Sequence, residues 1–246
     1  MDSIASTNSE LMERCRAGNC LPSLLVAERQ TAGRGRLGRS WHSLGPEPAG
    51  TSQASQPAPL AALTFSLGLP LAPQSWSGLS LAVGLAVARS LHPDLGLKWP
   101  NDIWLGGRKL AGILIETASI GQRRCTVIGV GINILPRDPT GLSTAPAWLQ
   151  ELLPEVDARA ALVRVAVPLL QAIRLFEQQG FSALRTQFER RDVLRGQRVD
   201  LSDGRSGTAV GVDENGALLV HTSNGMQRVT SAEISVRPSG ARPGTR

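Results

Sequence analysis

The sequence predicts an α/β fold of the α+β type: a mixed, largely antiparallel sheet with packed helices, followed by a small β-barrel. Three observations predict it. Short apolar runs in the first half are joined by tight turn signals, and strands so linked pair antiparallel. Apolar segments of helical length stand between and after these runs. Beyond Asp192 the texture changes to brief β-rich runs separated by Ser-Asp-Gly, Asp-Glu-Asn-Gly and Ser-Asn-Gly, a pattern that suits a small barrel.

The elements follow in order. Thr7 and Glu10 have capping-box spacing, which predicts a helix running to about Gly18. Leu24 to Ala27 is a short apolar strand. Gly45 to Pro59 is rich in Pro, Gly, Ser, Gln and Ala and reads as a flexible insertion that buries too little to repay ordering. Leu60 to Leu69 resumes as a strand. Leu79 to Leu91 is apolar nearly all round, which predicts a buried helix stopped at His92 and Pro93. Leu95 to Trp99, Ile103 to Leu105, Lys109 to Glu116 and Thr126 to Asn133 are strands, with Gly106 and Gly107 as a hairpin turn. Leu135 to Pro154 is loop-like. Asp157 is the N-cap of a long helix from Arg159 to Gln179, closed by Gly180, and Phe181 to Arg191 forms a shorter one. The chain therefore divides into 1–191 and a barrel module over 192–238, with 239–246 as a disordered tail.

Composition narrows the function classes. The 246 residues carry a formal charge of +6, but the positive residues are spread out, with no run of five or six like charges. Aromatics are only 4% and Tyr is absent, whereas a nucleic-acid surface needs a clustered basic face with interleaved aromatics. No apolar run of membrane-spanning length is free of Pro and charge. Three Cys (Cys15, Cys20, Cys125) are odd in number and lack Cys-x-x-Cys spacing. That points to a reducing, cytoplasmic setting and away from a disulfide framework or zinc site. The three His (His42, His92, His221) have no metal-ligand spacing.

Chemistry concentrates between Gln30 and Trp41. Gly33, Gly35 and Gly38 alternate there with Arg34, Arg36 and Arg39, and no acid lies between Glu28 and Glu47. Gly lets backbone approach a ligand, and Arg supplies a permanent charge whose fork fits carboxylate or phosphate. Such a loop fits an anionic small molecule, with Trp41 as an apolar plate. It also matches Gly-x-Gly-x-x-Gly, but no apolar helix opens at Gly38 and no Asp or Glu occurs from Pro48 to Pro93, so the dinucleotide fingerprint fails. Of 26 Lys+Arg only two are Lys, Lys98 and Lys109, within one short segment. A compact point charge and a planar fork are not interchangeable in a tight site.

Four stretches, in order, resemble the biotin protein ligases: Ser6-Thr7-Asn8; the loop from Gly33 to Trp41; Lys98-Trp-Pro-Asn-Asp102 with Lys109-Leu-Ala-Gly-Ile-Leu114; and Gly129-Val-Gly-Ile-Asn133. The resemblance covers nearly the whole chain, apart from the insertion and the tail. It implies a catalytic domain of class II synthetase-like fold over 1–191 and an SH3-like C-terminal domain. It also implies a two-step reaction: biotin and ATP give biotinyl-5′-AMP and pyrophosphate, then one lysine of a biotin carboxyl carrier protein takes the biotinyl group. By position, Ser6, Thr7, Asn8, Gln30, Gly33, Arg34, Gly35, Arg36, Lys109 and Gly112 would form the biotin site. Arg36, Arg39, Trp41, Lys98, Asn101, Lys109 and Asn133 would hold ATP or the adenylate, and Lys109, Arg36 and Lys98 would be catalytic. Asp102 would orient Lys98 or the incoming lysine, or merely end the turn. Mg²⁺ would be carried by the phosphates, near Asn133, rather than by a protein-only site. The sequence begins at the first motif, so the resemblance implies ligase activity without the N-terminal DNA-binding domain of some members. An exposed sheet edge would serve a homodimer or the carrier. Lipoate and octanoyl ligases share the adenylate logic but lack this Arg-Gly loop.

Overall fold

The computed structural model describes residues 1–43, 59–121, 123–140, 142, 144–230 and 236–239. The expected insertion, except Pro59, and the tail beyond Ser239 lie outside the described residues. The elements run β1 (Ser3–Ile4), α1 (Thr7–Arg16), β2 (Ser23–Ala27), β3 (Arg29–Gln30), β4 (Ala62–Pro70), α2 (Leu79–Leu91), β5 (Gly96–Lys98), β6 (Asp102–Leu105), β7 (Arg108–Ile120), β8 (Arg123–Asn133), α3 (Ala158–Gln179), α4 (Ser182–Glu189), β9 (Arg198–Leu201), β10 (Ser206–Val212), β11 (Leu218–Thr222), β12 (Gly225–Val229) and β13 (Val236–Pro238). They fall into two compact units, Met1–Leu71 with Arg108–Arg164 and Ala72–Gly107 with Val165–Arg246.

In the first unit, β2, β4, β8 and β7 lie side by side in that order, and each neighbouring pair is antiparallel. The register sorts their residues by face. Ser66 stands opposite Gly129, which stands opposite Leu114; Thr64, Gly131 and Gly112 form the next row, and Ala62 faces Asn133. Residues two apart share a face. One face is therefore paved with small and polar residues. The other carries the buried Leu63, Phe65, Ile113, Ile128, Val130 and Ile132, each contributing about 1.5–3 kcal/mol when fully buried. Helix α1 covers one end of the small-residue face, where Leu11, Met12 and Cys15 meet Leu25, Cys125 and Val127.

Three local details depart from expectation. The N-cap of α1 is Ser6, whose Oγ accepts from the Ser9 N–H at 3.4 Å. Thr7 is not the cap, because its hydroxyl is engaged elsewhere. Strand β7 runs to Ile120 rather than Glu116, since the β7–β8 ladder continues through Thr117 opposite Thr126 and Ser119 opposite Arg124. Backbone pairing can extend a hairpin beyond the segment whose side chains announce it. Finally, Cys20 and Cys125 form a disulfide with Cα atoms 5.8 Å apart, across 105 residues of chain, while Cys15 is a buried free thiol. Cysteine count and spacing pointed away from a disulfide framework, and spacing along the chain cannot say that the segment after α1 folds against β8.

In the second unit, α2 is buried around most of its circumference, through Leu81, Val83, Leu85, Ala86, Val87 and Ala88. Hairpin β5–β6 sets Lys98 opposite Asp102. Between them Trp99, 1% exposed, donates its Nε1–H to the Gly216 carbonyl at 3.0 Å. Helix α3, whose first turns belong to the first unit, has the expected Asp157 cap, which accepts from the Ala160 N–H at 2.7 Å, and it contains Pro168. Gly180 follows at φ +68°, a left-handed conformation that glycine adopts without penalty. The C-terminal strands form a five-stranded antiparallel sheet in the order β12-β11-β10-β9-β13.

Candidate active site

The small-residue face is the floor of the candidate site in the first unit, with Asn8 over Gly129 and Trp41 over Gly131. Asn8 lies over Gly129: a Cβ on that glycine would stand 2.2 Å from Asn8 Oδ1. Asn8 Nδ2 donates to the Leu114 carbonyl (3.3 Å) and to Glu116 Oε2 (3.1 Å). Thr7 donates to Gln30 Oε1 through its backbone N–H at 2.8 Å and its hydroxyl at 3.1 Å. Ser66 Oγ lies 2.7 Å from both Thr7 Oγ1 and Asn8 Oδ1, and donates its single proton to one at a time. Ser6, Thr7, Asn8 and Gln30 are all buried. Buried polar groups cost free energy unless bonded, so this network fixes their orientation.

The Arg-Gly loop closes one side. Trp41 N–H donates to the Gly33 carbonyl at 2.8 Å, and Gly35 N–H to the Arg39 carbonyl at 2.7 Å. A Cβ at Gly33 would meet the Trp41 carbonyl oxygen at 2.2 Å, so only glycine fits there. Leu37 (φ 55°) and Gly38 (φ 72°) turn the chain through left-handed conformations. Arg34 does not stand unpaired. Its guanidinium donates to both Glu116 oxygens, at 2.8 and 3.3 Å, and to Ser9 Oγ at 3.3 Å. Arg36 opens a 3₁₀ turn over Arg36–Gly38, and Arg39 is its C-cap.

Trp41 rests on Gly131, where a Cβ would come within 2.3 Å of its indole. Its Nε1 is buried without a hydrogen-bond partner among the described residues. The ammonium of Lys109 lies beside Gly112, 3.2 Å from where a Cβ would be, and the Trp41 ring edge is 3.6 Å from the same point. Gly112 thus leaves room for both. The Lys109 backbone is held by Ala145 and Ala147, at 3.0 and 2.8 Å. Asn133 Nδ2 donates to the Ala147 carbonyl at 2.9 Å and the Lys109 carbonyl at 3.3 Å. Lys98 and Asn101 belong to the second unit, with Lys98 Nζ 5.0 Å from the Trp104 ring centroid.

Sequence reasoning missed Ser43, Ser66, Glu116 and Arg137. Ser43 Oγ accepts from the Gln30 N–H at 2.7 Å. Ser66 was readable as a polar residue inside an apolar strand, but Glu116 looked like a strand end. Arg137 carried no signal in a loop-like region. Its guanidinium sits 5.6 Å from the Trp41 ring centroid and donates to Asn133 Oδ1 at 2.6 Å. Burial lowers its pKa from the ordinary arginine value.

Within the first unit this geometry brings together Ser6-Thr7-Asn8, the Gly33-to-Trp41 loop, Lys109-to-Leu114 and Gly129-to-Asn133. Residues 2–133, more than half of the chain, match the model of the biotin/lipoate A/B protein ligase family. The chain belongs to that family. Residues 195–237 match the biotin protein ligase C-terminal domain. The chain is 34% identical to the bifunctional ligase/repressor BirA of Escherichia coli, over 95% of this chain and 72% of that protein. It is 32% identical to a biotin–[acetyl-CoA-carboxylase] ligase of Mycobacterium tuberculosis, over 93% of this chain and 85% of that one. Among solved structures, the Aquifex aeolicus biotin protein ligase in complex with biotin and ATP aligns with a TM-score of 0.78 and 29% identity, over 97% of both chains.

Mg²⁺ demands hard oxygen donors in octahedral geometry. Asn133 Oδ1, the oxygen expected near it, is already taken by the Arg137 guanidinium. Among the described residues, the one close His/Cys/Asp/Glu group with metal-ligand potential is the sulfur trio Cys15, Cys20 and Cys125.

Proposed function

We propose that this chain is a biotin protein ligase, which joins biotin to ATP as biotinyl-5′-AMP and passes the biotinyl group to a lysine of a carboxylase carrier domain. The observation that carries this reading is the convergence on one glycine-paved face: the bonded Thr7, Asn8 and Gln30 at one end, Lys109 and Trp41 at the other, with the Arg-Gly loop along the side. A neutral, hydrogen-bonding ring system suits the first end, and an anion suits the second.

In this reading Ser6, Thr7, Asn8 and Gln30 recognise the ureido ring, with Gly33 to Arg36 along the bicycle and side chain. Biotin carboxylate oxygen attacks the α-phosphorus of ATP, and the bond to pyrophosphate breaks. Both reactants are anions, so positioning and cationic neutralisation lower the barrier. Lys109 neutralises the carboxylate and α-phosphate, while Arg36 and Arg39 retain the mixed anhydride. Lys98 and Asn101 meet the phosphates, and Asn133 holds the Lys109 segment. The unsatisfied Trp41 Nε1–H and its ring suit an adenine. When bound, Mg²⁺ would be carried by the triphosphate and would neutralise part of its charge. The carrier lysine amine then attacks the anhydride carbonyl and AMP leaves. We assign the ligase chemistry to 1–191 and an SH3-like module to 192–238, in a cytoplasmic enzyme. Among the described residues no helix is long and apolar enough to cross a membrane.

The test is pyrophosphate release from ATP and Mg²⁺ with biotin, lipoate or octanoate offered separately. Release with biotin alone is expected. Release with lipoate or octanoate instead overturns the substrate assignment, and silence of folded protein with all three overturns the adenylating reading.

A further inference from the structure

We propose that Cys20 and Cys125 are a reversible redox-modification site, closed by a low-molecular-weight disulfide and opened by a low-molecular-weight thiol, with Cys15 remaining a thiol. The three sulfur atoms lie within 4.8 Å of one another, in a region that the ligase chemistry does not use. Cys125 is fully buried on β8 and Cys15 is 3% exposed on α1. Cys20 is half-buried, four residues past the end of the helix, and is the point of entry for a soluble reagent. Disulfides in reducing compartments are characteristically transient and redox-sensing. Susceptibility follows access, which here selects Cys20.

The surroundings favour a disulfide over a metal thiolate. Leu11, Met12, Leu25 and Val127 enclose the trio, with Ile4 and Ala118 beside it. Three thiolates around a divalent cation would bury a net negative charge among these apolar side chains, which is costly, whereas a disulfide is neutral. Burial also raises the Cys15 thiol pKa, and it is the Cys125 sulfur, not that of Cys15, that is joined to Cys20. On closure, the Cys20 thiolate attacks one sulfur of the reagent disulfide, forming a mixed disulfide and releasing one thiol. Cys125 sulfur, losing its proton, attacks Cys20 Sγ and displaces the second thiol. Two protein thiols and one reagent disulfide thereby become one protein disulfide and two reagent thiols. The bond ties the end of α1 to β8, the strand that carries Gly129 beneath Asn8.

The experiment equilibrates the full chain, free of metal, against glutathione and glutathione disulfide over a series of ratios. Alkylation, intact mass and peptide mapping then follow. The expected result is a fall from three alkylatable thiols to one, a Cys20–Cys125 peptide, and full recovery on reduction. Cys15→Ser should still close the bond and Cys125→Ser should not. Cys20→Ser, at the more exposed position, gives the same test if the Cys125 variant does not fold. Three reactive thiols at every ratio, a bond to Cys15, or linkage only between chains would overturn the proposal. So would stoichiometric zinc uptake that protects all three thiols of the reduced chain. Hydrogen exchange of the α1 amides should be slower in the oxidised form; equal rates would refute the tie between α1 and β8.

Discussion

Lys109 shows what one residue has to do in this site. Its ammonium stands beside Gly112 and the Trp41 ring edge, with its backbone held at Ala145 and Ala147. If it neutralises the reacting carboxylate and phosphate, Lys109→Ala should lower biotin-dependent pyrophosphate release by about 10²–10³-fold, the cost of removing one stabilising group from a transition state. Near-normal release would take Lys109 out of that role. Arg36 has a different task. Arg36→Gly removes a charge above the anhydride, so the adenylate should leak and biotin should appear on bystander proteins. A variant that labels only the carrier would show retention to lie elsewhere. Arg34 corrects a simpler idea of the loop as a row of cations awaiting anions: its charge is paired with Glu116, and its position is thereby coupled to Asn8 through the same carboxylate.

At the scale of the element, β8 explains the Gly-x-Gly spacing better than any local conformational argument. Gly129 and Gly131 share one face, and each lacks a side chain because Asn8 or Trp41 occupies that space. Gly129→Ala should displace Asn8 and raise the KM for biotin at least about tenfold, equivalent to 1.4 kcal/mol, while the KM for ATP changes little. Measured steady-state constants decide this, and an unchanged biotin KM would remove Asn8 from the pocket. In the C-terminal sheet, the Asp213 turn offers a pH test. Burial opposes ionisation of Asp213, but the Ala217 and Asn215 N–H groups and the Arg228 guanidinium outweigh it and hold its pKa below the usual carboxylate value. A folded pKa below the unfolded one adds stability that is present above the unfolded pKa and lost as pH falls through the folded one. Asp213→Asn keeps an acceptor and drops the charge. It should cost about 1 kcal/mol in urea unfolding at neutral pH, and the difference should vanish below the usual carboxylate range. A pH-independent difference would assign the effect to geometry alone.

For the molecule as a whole, pattern and motif carried much of the fold. The apolar stretch from Leu79 to Leu91 is α2, residue for residue. The turn-separated runs after Asp192 are strands of the C-terminal sheet, and the Asp157 and Gly180 signals bracket α3. These succeed because local hydrogen bonding and side-chain period act over a few residues, where the sequence is its own best witness. The Arg-Gly loop, Lys109 and the Gly129-to-Asn133 stretch marked the candidate site for the same reason: their residue types are chemically unusual wherever they fold. What the sequence left open were pairings across long separations. Glu116 beneath Arg34 and Asn8, Arg137 on Trp41, Ser66 between Thr7 and Asn8, and the Cys20–Cys125 bond each join segments from 58 to 108 residues apart. None has a local signature, because an isolated Glu, Arg, Ser or Cys is compatible with many environments. Composition and period determined which elements form and which residues bear chemistry. Strand register and the seating of α1 on the sheet decided which of those residues meet, because contact energies depend on distance in space and not on distance along the chain.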